Sequence, residues 1–127
     1  MKKLFLVEDD ENFREILKLN LQSKGFECLT AKDGLVALEM IKEAMPDLVI
    51  LDLKLPKLSG EEVCKKIKLD QATSAIPVIM LTGKSSIVDK VIGRVIGADC
   101  YLNKPCEIKI LLENINNLIY KKKDTEK

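Results

Sequence analysis

Apolar residues along this chain alternate between short continuous runs and sets with helical spacing. The continuous runs cover 4–7, 27–31, 48–51, 78–81 and 100–102, of which the second and the fifth are the least apolar. Between the runs, apolar residues recur as they do on the buried face of an amphipathic helix. Four sets follow this spacing along one stripe: Phe13, Ile16, Leu17 and Leu21; Ala37, Leu38, Ile41 and Met45; Gly60, Val63, Cys64 and Ile67; and Ile108, Leu111, Leu112, Ile115 and Ile119. The pattern predicts strands and helices in strict alternation.

A further predicted helix, 85–96, has a wider apolar face than the other four. Its apolar residues are all β-branched: Ile87, Val88, Val91, Ile92, Val95 and Ile96. At about 100° per residue they span about half of the helix circumference, more than one core-facing stripe requires. The β-branched residues and Gly93 also lower the helix propensity. We expect a weak helix with spare apolar surface, and ordinary core packing is the alternative interpretation.

The five-fold alternation of strand and helix predicts a parallel sheet with helices on both faces. The run at 48–51 is apolar throughout, as is typical of a strand that is covered on both sides. Right-handed crossovers then restrict the topology to a doubly wound sheet. Asp33 precedes the second helical set and is an expected N-cap, and Ser59 opens the third set, with Glu61 and Glu62 in its first turn.

Composition indicates a single globular domain. The chain has 127 residues, of which 46% are hydrophobic and 32% charged. The net charge of +1 favours neither nucleic acid nor a membrane surface as a partner. The apolar run after Lys2 and Lys3 ends at Glu8, so it is shorter than the roughly 7–15 residues of a signal-peptide core. We therefore expect a cytoplasmic protein that does not bind membranes.

The chain contains no histidine and four cysteines, Cys28, Cys64, Cys100 and Cys106. No CxxC pair occurs, and the spacing differs from that of compact zinc sites. We expect free thiols in a reducing compartment. A zinc site formed by all four is the alternative.

Polar residues stand at the predicted carboxyl ends of the strands, where a doubly wound sheet binds its ligands. Glu8 and Asp9 follow the first strand, Asp52 the third, Thr82 the fourth and Lys104 the fifth. Three carboxylates placed together repel one another unless a cation joins them. A hard divalent ion with oxygen ligands, such as Mg²⁺, would relieve that repulsion.

One of these carboxylates is also suited to attack phosphorus, because aspartate is a known nucleophile in phosphoryl transfer. The Thr82 hydroxyl could donate a hydrogen bond to a phosphoryl oxygen, and Lys104 could supply a positive charge. Each group also has a plainer interpretation. Glu8, Asp9 and Asp10 could form only a capped turn, and Asp52 could be a turn residue.

Four segments, 7–10, 51–60, 81–83 and 97–105, together resemble the receiver domains of response regulators. They include Val7-Glu8-Asp9-Asp10, Leu51-Asp52, Leu81-Thr82-Gly83 and Lys104-Pro105. The similarity covers about residues 2–120. It implies a flavodoxin-like sheet with strand order 2-1-3-4-5 and five helices on both faces. It also implies a receiver domain over 1–120, and the remaining residues, 121–127, are predicted from their charge to form a C-terminal tail.

The resemblance implies that Asp52 accepts a phosphoryl group from a sensor histidine kinase or a phosphotransfer protein. The reaction would depend on Mg²⁺ or Mn²⁺, bound by Asp9, Asp52 and the backbone carbonyl of Lys54, with Glu8 acting through a water. Lys104 would contact the phosphoryl group, and the Lys104–Pro105 peptide bond would be cis.

The resemblance also implies that Thr82 and Tyr101 form a coupled switch pair. Their movement would be read by a downstream protein or a second copy on the surface of the fourth helix, fifth strand and fifth helix. We expect that surface to include Ile87, Val91, Val95 and Tyr101. No direct contact with nucleic acid is expected of this domain. Tyr101 could instead be an ordinary edge-strand aromatic.

Some positions depart from the common family pattern: Leu55, Gly83, Cys106 and Lys54. Lys54 places a cation at the rim of the site, and our hypothesis is that it hinders attack by water and prolongs the phosphorylated state. Lys54 also argues against the alternative of a phosphohydrolase similar to the haloacid-dehalogenase type. Such enzymes use an aspartate nucleophile and have a second aspartate two residues after it, where this chain has Lys54. A receiver-like binding module without phosphorylation is another alternative. We expect no output domain in the sequence after Tyr120, which fits either a stand-alone regulator or a receiver excised from a longer protein.

Overall fold

The computed structural model describes residues 1–83 and 97–120, which form five strands and four helices. In chain order these are β1 (Lys3–Val7), α1 (Glu11–Ser23), β2 (Glu27–Ala31), α2 (Gly34–Ala44), β3 (Leu48–Leu51), α3 (Gly60–Leu69), β4 (Val78–Thr82), β5 (Cys100–Asn103) and the C-terminal helix (Ile108–Ile119). The predicted helix at 85–96, with Ile87, Val91 and Val95, lies outside the described residues, as does the tail at 121–127.

All described strands are parallel, and their order is β2-β1-β3-β4-β5, which confirms the predicted sheet. One buried cluster lies between the sheet and α2 and α3, and a second lies between the sheet and α1 and the C-terminal helix. The central strand β3 is fully buried because helices cover both of its faces. This accounts for its uninterrupted apolar sequence.

The helix N-termini follow the sequence signals. The side chains of Asp10, Asp33 and Ser59 each accept a hydrogen bond from a backbone N–H in the first turn of α1, α2 and α3. The described helices have 10 to 13 residues. None of the helices within 1–83 or 97–120 is long and apolar enough to cross a membrane.

Two apolar residues of the predicted helical sets lie elsewhere than their spacing suggests. Ile16 lies on α1, but its side chain is 61% exposed, whereas Leu17 and Leu21 are buried. Met45 falls just beyond α2, in the left-handed region at φ 47°, because the following Pro46 disfavours helical geometry at the residue before it. Helical spacing alone did not reveal either deviation.

Close backbone approaches hold the loop between β3 and α3 in place. A Cβ added to Gly60 would overlap the carbonyl oxygen of Asp52, and one added to Gly34 would overlap that of Leu58. The Gly60 N–H donates to the Leu53 carbonyl at 2.9 Å. Glycine therefore allows α2 and α3 to begin directly against the loop that carries Asp52.

Lys68 joins α3 to the strands at the edge of the sheet. Its Nζ donates to the Ile76 carbonyl at 2.7 Å and to Asp99 Oδ2 at 2.8 Å. The same oxygen of Asp99 accepts the Val78 N–H at 2.8 Å. These contacts fix the starts of β4 and β5 relative to α3, far from the carboxyl ends of the strands.

Candidate functional site

Three carboxylates converge where β1 and β3 end. Val7 and Leu51 are register partners, so Glu8 and Asp52 leave the sheet side by side. The Asp52 N–H donates to the Val7 carbonyl at 3.2 Å and extends this pairing by one residue. Glu8, Asp9 and Asp52 each present a carboxylate oxygen within 4.8 Å of the other two. The structure thus brings together the acidic residues that the sequence grouped by position.

Burial differs among these acidic groups. Glu8 is 2% exposed and Asp52 is 9% exposed, while Asp9 is exposed to solvent. Asp9 also borders an open cleft of about 470 Å³ that runs along the β3–α3 loop past Lys54 and Ser59. The site therefore combines two buried carboxylates with one solvent-facing carboxylate at an accessible edge.

Lys104 reaches this cluster from the residue after β5. Its Nζ donates to Glu8 Oε1 at 2.6 Å and to Asp52 Oδ2 at 3.1 Å, and its side chain is 20% exposed. The Lys104–Pro105 peptide bond is cis, as the resemblance implies. One ammonium thus bridges the two buried carboxylates.

The electrostatic environment changes the pKa of both Glu8 and Lys104. Burial raises the pKa of Glu8, and the hydrogen bonds from Lys104 and from the Asp10 N–H only partly oppose this effect. Burial also disfavours the charged form of Lys104, but the hydrogen bond to Glu8 and the charge of Asp52 outweigh it and raise the pKa of Lys104. Lys104 is therefore a firmly charged group at neutral pH.

The donor set fits a hard divalent cation. Three carboxylates against one ammonium leave a formal charge of −2 at the site. Carboxylate oxygens are the ligands that Mg²⁺ and Mn²⁺ take in proteins. Asp52 Oδ1 accepts the Lys54 N–H at 3.3 Å, which places the Lys54 backbone beside the carboxylate. Ligation by the Lys54 carbonyl stays a prediction.

The two residues of the expected switch pair lie on the neighbouring strands β4 and β5. Thr82 is the last residue of β4, and its Cα is paired with that of Asn103. Tyr101 is half-buried and packs against the cluster under α2 and α3. The Thr82 side chain lies outside what the structure describes, so its contact with a phosphoryl group and its coupling to Tyr101 stay predictions.

Two residues of α1 that sequence reasoning did not assign to the site also reach it. Arg14 donates from its guanidinium to the Glu8 carbonyl at 2.8 Å and so fixes the turn between β1 and α1. The ring centroid of Phe13 lies 4.5 Å from Lys104 Nζ. Helical spacing marked Phe13 only as a core residue, and no local signal relates it to a lysine 91 positions later in the chain.

Comparison with known proteins agrees with this geometry. A sequence model of the family described as response regulator receiver domain matches residues 4–116. The chain is 43% identical over 104 residues to the alkaline phosphatase synthesis transcriptional regulatory protein PhoP of Bacillus subtilis, a match that covers 82% of this chain and 42% of PhoP. It is 40% identical over 119 residues to the sensory transduction protein RegX3 of Mycobacterium tuberculosis, which covers 94% of this chain and 51% of RegX3.

A solved structure gives the same result for the fold. The crystal structure of a response regulator receiver domain protein from Clostridium thermocellum matches with a TM-score of 0.89 and 34% identity, covering 97% of this chain and 98% of that one. The chain spans about half the length of the curated relatives it matches. With its family match, its sheet order and the acidic cluster at the strand ends, the chain belongs to the response regulator receiver domain family.

Proposed function

We propose that this chain is a phosphorylation-activated signalling switch in which Asp52 is the phosphoryl acceptor. The observation that carries the proposal is the position of the Asp52 carboxylate. It lies at the end of the central strand, is hydrogen-bonded by Lys104 at 3.1 Å, and shares its surroundings with two further carboxylates. One carboxylate oxygen of Asp52 thus lies beside the Lys104 ammonium, at the edge of the sheet where Asp9 is exposed to solvent.

In the proposed reaction, a phosphohistidine of a sensor histidine kinase or phosphotransfer protein supplies the phosphoryl group. The bond between phosphorus and the imidazole nitrogen breaks, its electron pair stays on the imidazole, and a bond forms between phosphorus and an Asp52 oxygen. Lys104 is positioned to offset the negative charge of the transferred group, and the Lys54 N–H holds the other Asp52 oxygen. Transfer of this kind depends on positioning and charge neutralisation rather than on further covalent chemistry.

Glu8, Asp9 and Asp52, with the Lys54 carbonyl, are the residues that we propose to hold Mg²⁺ or Mn²⁺. When bound, such an ion supplies positive charge to the phosphoryl oxygens. Asp9 is the carboxylate that solvent reaches, which suits an ion that keeps several of its waters. Glu8 is already engaged by Lys104 and the Asp10 N–H, which suits a role through a bridging water.

We further propose that phosphorylation is read through β4 and β5. The added charge at Asp52 would draw Thr82 toward the phosphoryl group and shift Tyr101 between two arrangements. The surface formed by 85–96, β5 and the C-terminal helix would then bind a downstream protein or a second copy. Amide hydrogen exchange over residues 84–103, with and without beryllofluoride as the phosphoryl mimic, should differ, and identical exchange would contradict this reading.

The remaining assignments belong to the same proposal. We place the receiver domain over 1–120 and the charged tail over 121–127, and we locate the protein in the cytoplasm. Its direct partners would be proteins, with no nucleic acid bound by this domain. We also propose stoichiometric phosphorylation without enzymatic turnover, because Lys54 stands where a phosphohydrolase would need a second acid. A steady-state phosphatase assay with a generic phosphomonoester should show no turnover.

The decisive experiment is intact-mass analysis after incubation with acetyl phosphate and Mg²⁺. The wild type should gain the mass of one phosphoryl group with Mg²⁺. It should gain no mass when EDTA replaces Mg²⁺ during labelling. Asp52→Asn should gain nothing. Asp10→Asn is the matched control, because Asp10 caps α1 through its side chain and asparagine caps equally well. The proposal would be overturned if Asp52→Asn became labelled, or if the wild type did not.

A further inference from the structure

Lys104 is a long, flexible side chain that must keep its ammonium at one place in the site. A lysine has a four-carbon stem and a compact, strongly hydrated charge, so two hydrogen bonds alone leave it other arrangements. Its ammonium donates to Glu8 and to Asp52. The ring of Phe13 lies against it, 4.5 Å from Nζ to the ring centroid.

We infer that Phe13 is a positioning residue for phosphoryl transfer: its ring face holds the Lys104 ammonium in place beside Asp52. The inference rests on the function proposed above and adds a residue to that site. A cation within about 6 Å of an aromatic centroid is attracted by the ring quadrupole, most strongly where water is largely excluded. The Lys104 side chain is 20% exposed, so this condition is met.

Phe13 is itself held firmly. Its N–H donates to Asp10 Oδ1 at 3.1 Å, in the first turn of α1. The ring is half-buried and packs against the cluster between the sheet and α1. Arg14, the next residue, donates to the Glu8 carbonyl at 2.8 Å. These contacts tie the first turn of α1, which carries the ring, to the backbone of Glu8, and Lys104 contacts both the Glu8 carboxylate and the ring.

The ring that contacts Lys104 also lines an apolar groove. Phe13 lines this groove of about 190 Å³ together with Leu17, Leu81 and Leu111. Because the ring borders both the groove and the Lys104 ammonium, replacing it with a smaller side chain should admit water beside Lys104.

The test compares wild type with Phe13→Leu, Phe13→Tyr and Tyr120→Leu. Leucine is apolar and a good helix former, so Phe13→Leu removes only the aromatic ring. Tyrosine keeps the aromatic face. Tyr120 lies under Lys2 at 5.8 Å, and Lys2 precedes β1 at the other end of the sheet, so Tyr120→Leu removes an aromatic–lysine contact outside the site. Thermal unfolding of each variant checks that it is folded.

The measured quantity is the rate of phosphorylation by acetyl phosphate at saturating Mg²⁺, followed by intact mass. A cation–π contact contributes a factor of about 2 to 30 to an equilibrium, and Phe13→Leu should slow labelling within that range. Phe13→Tyr and Tyr120→Leu should stay within about twofold of wild type. Site-specific fluorinated phenylalanine at residue 13 should slow the reaction progressively with fluorine number, because fluorine weakens the ring quadrupole while nearly keeping the ring shape.

A second readout does not depend on phosphorylation. The ε-methylene protons of Lys104 should have ring-current-shifted NMR signals in wild type and Phe13→Tyr but not in Phe13→Leu. Equal labelling rates in folded Phe13→Leu and wild type, or an unshifted Lys104 signal in wild type, would overturn the role of Phe13 while leaving the proposed function standing. Failure of wild type to label at all would overturn the proposed function, and this inference with it.

Discussion

Replacing Lys104 with methionine removes the ammonium that bridges two buried carboxylates. The variant keeps the length and apolar stem of the side chain but loses the donors at 2.6 Å from Glu8 Oε1 and 3.1 Å from Asp52 Oδ2. Glu8 and Asp52 then lie next to each other without a counter-ion, in the absence of a bound metal. We expect the metal-free variant to be less stable than wild type and to recover stability with Mg²⁺.

The magnitude follows from the loss of one partner of a buried ionic cluster. Hydrogen bonds to charged groups contribute about 1.5–3 kcal/mol each, and breaking a buried pair on one side costs about 3–5 kcal/mol. Lys104 keeps some contact with water, so we expect a loss of about 2–4 kcal/mol in the free energy of unfolding. A divalent ion at a hundred times its dissociation constant raises the free energy of unfolding by about 2.7 kcal/mol.

The loss should also depend on pH. Without Lys104, its hydrogen bond and charge no longer lower the pKa of Glu8, so that pKa rises further, although the hydrogen bond from the Asp10 N–H remains. A carboxyl with a folded pKa above its unfolded value of 4.5 favours folding below pH 4.5 and loses that contribution as the pH rises through the folded value. The deficit of Lys104→Met should therefore be larger at about pH 7.5 than at about pH 5.

Urea unfolding followed by circular dichroism measures these free energies, with EDTA or with Mg²⁺, at both pH values. Lys54→Met is the matched control, because it removes an exposed lysine at the rim of the same site and should change stability by less than about 0.5 kcal/mol. An unchanged midpoint for Lys104→Met in EDTA at about pH 7.5, or an equal loss for both variants, would refute the reasoning.

Three further predictions follow from particular contacts. Lys54→Ala should shorten the phosphorylated lifetime, measured as loss of the aspartyl phosphate by intact mass, and an unchanged or slower loss would reject a shielding role. Lys68→Met should lower the free energy of unfolding by about 1–3 kcal/mol, because it removes the donor to the Ile76 carbonyl and the counter-ion of Asp99, whereas Lys65→Met, at an exposed position, should stay near wild type in the same urea titration. Burial raises the pKa of both Cys28 and Cys64 to about 11, so these thiols should be the slowest of the four to alkylate with iodoacetamide in the native protein, and rapid modification of either would contradict their burial.

Local sequence determined the elements and the identity of the polar groups at their ends. The apolar runs predicted the strands to within a residue or two, and helical spacing marked the helices between them. Both patterns are informative because the spacing of apolar residues reflects which side of an element is covered. Asp33 and Ser59 signalled helix N-termini because an N-cap acts within its own first turn. Glu8, Asp9 and Asp52 could be grouped in advance because parallel strands place their carboxyl ends along one edge.

Tertiary structure decided what depends on distances between elements. Ile16 shares helical spacing with Leu17 but is exposed, because the surface that α1 covers is set by its packing angle on the sheet. Met45, by contrast, lies past the end of α2 for a local reason, because the following Pro46 disfavours helical geometry at the residue before it. Only the folded chain places Lys104 between two carboxylates and under the Phe13 ring. The sequence pattern placed Lys104 at the same edge of the sheet as Asp52, but it carried no information on the contact with Phe13, because the packing of α1 on the sheet brings those two side chains together.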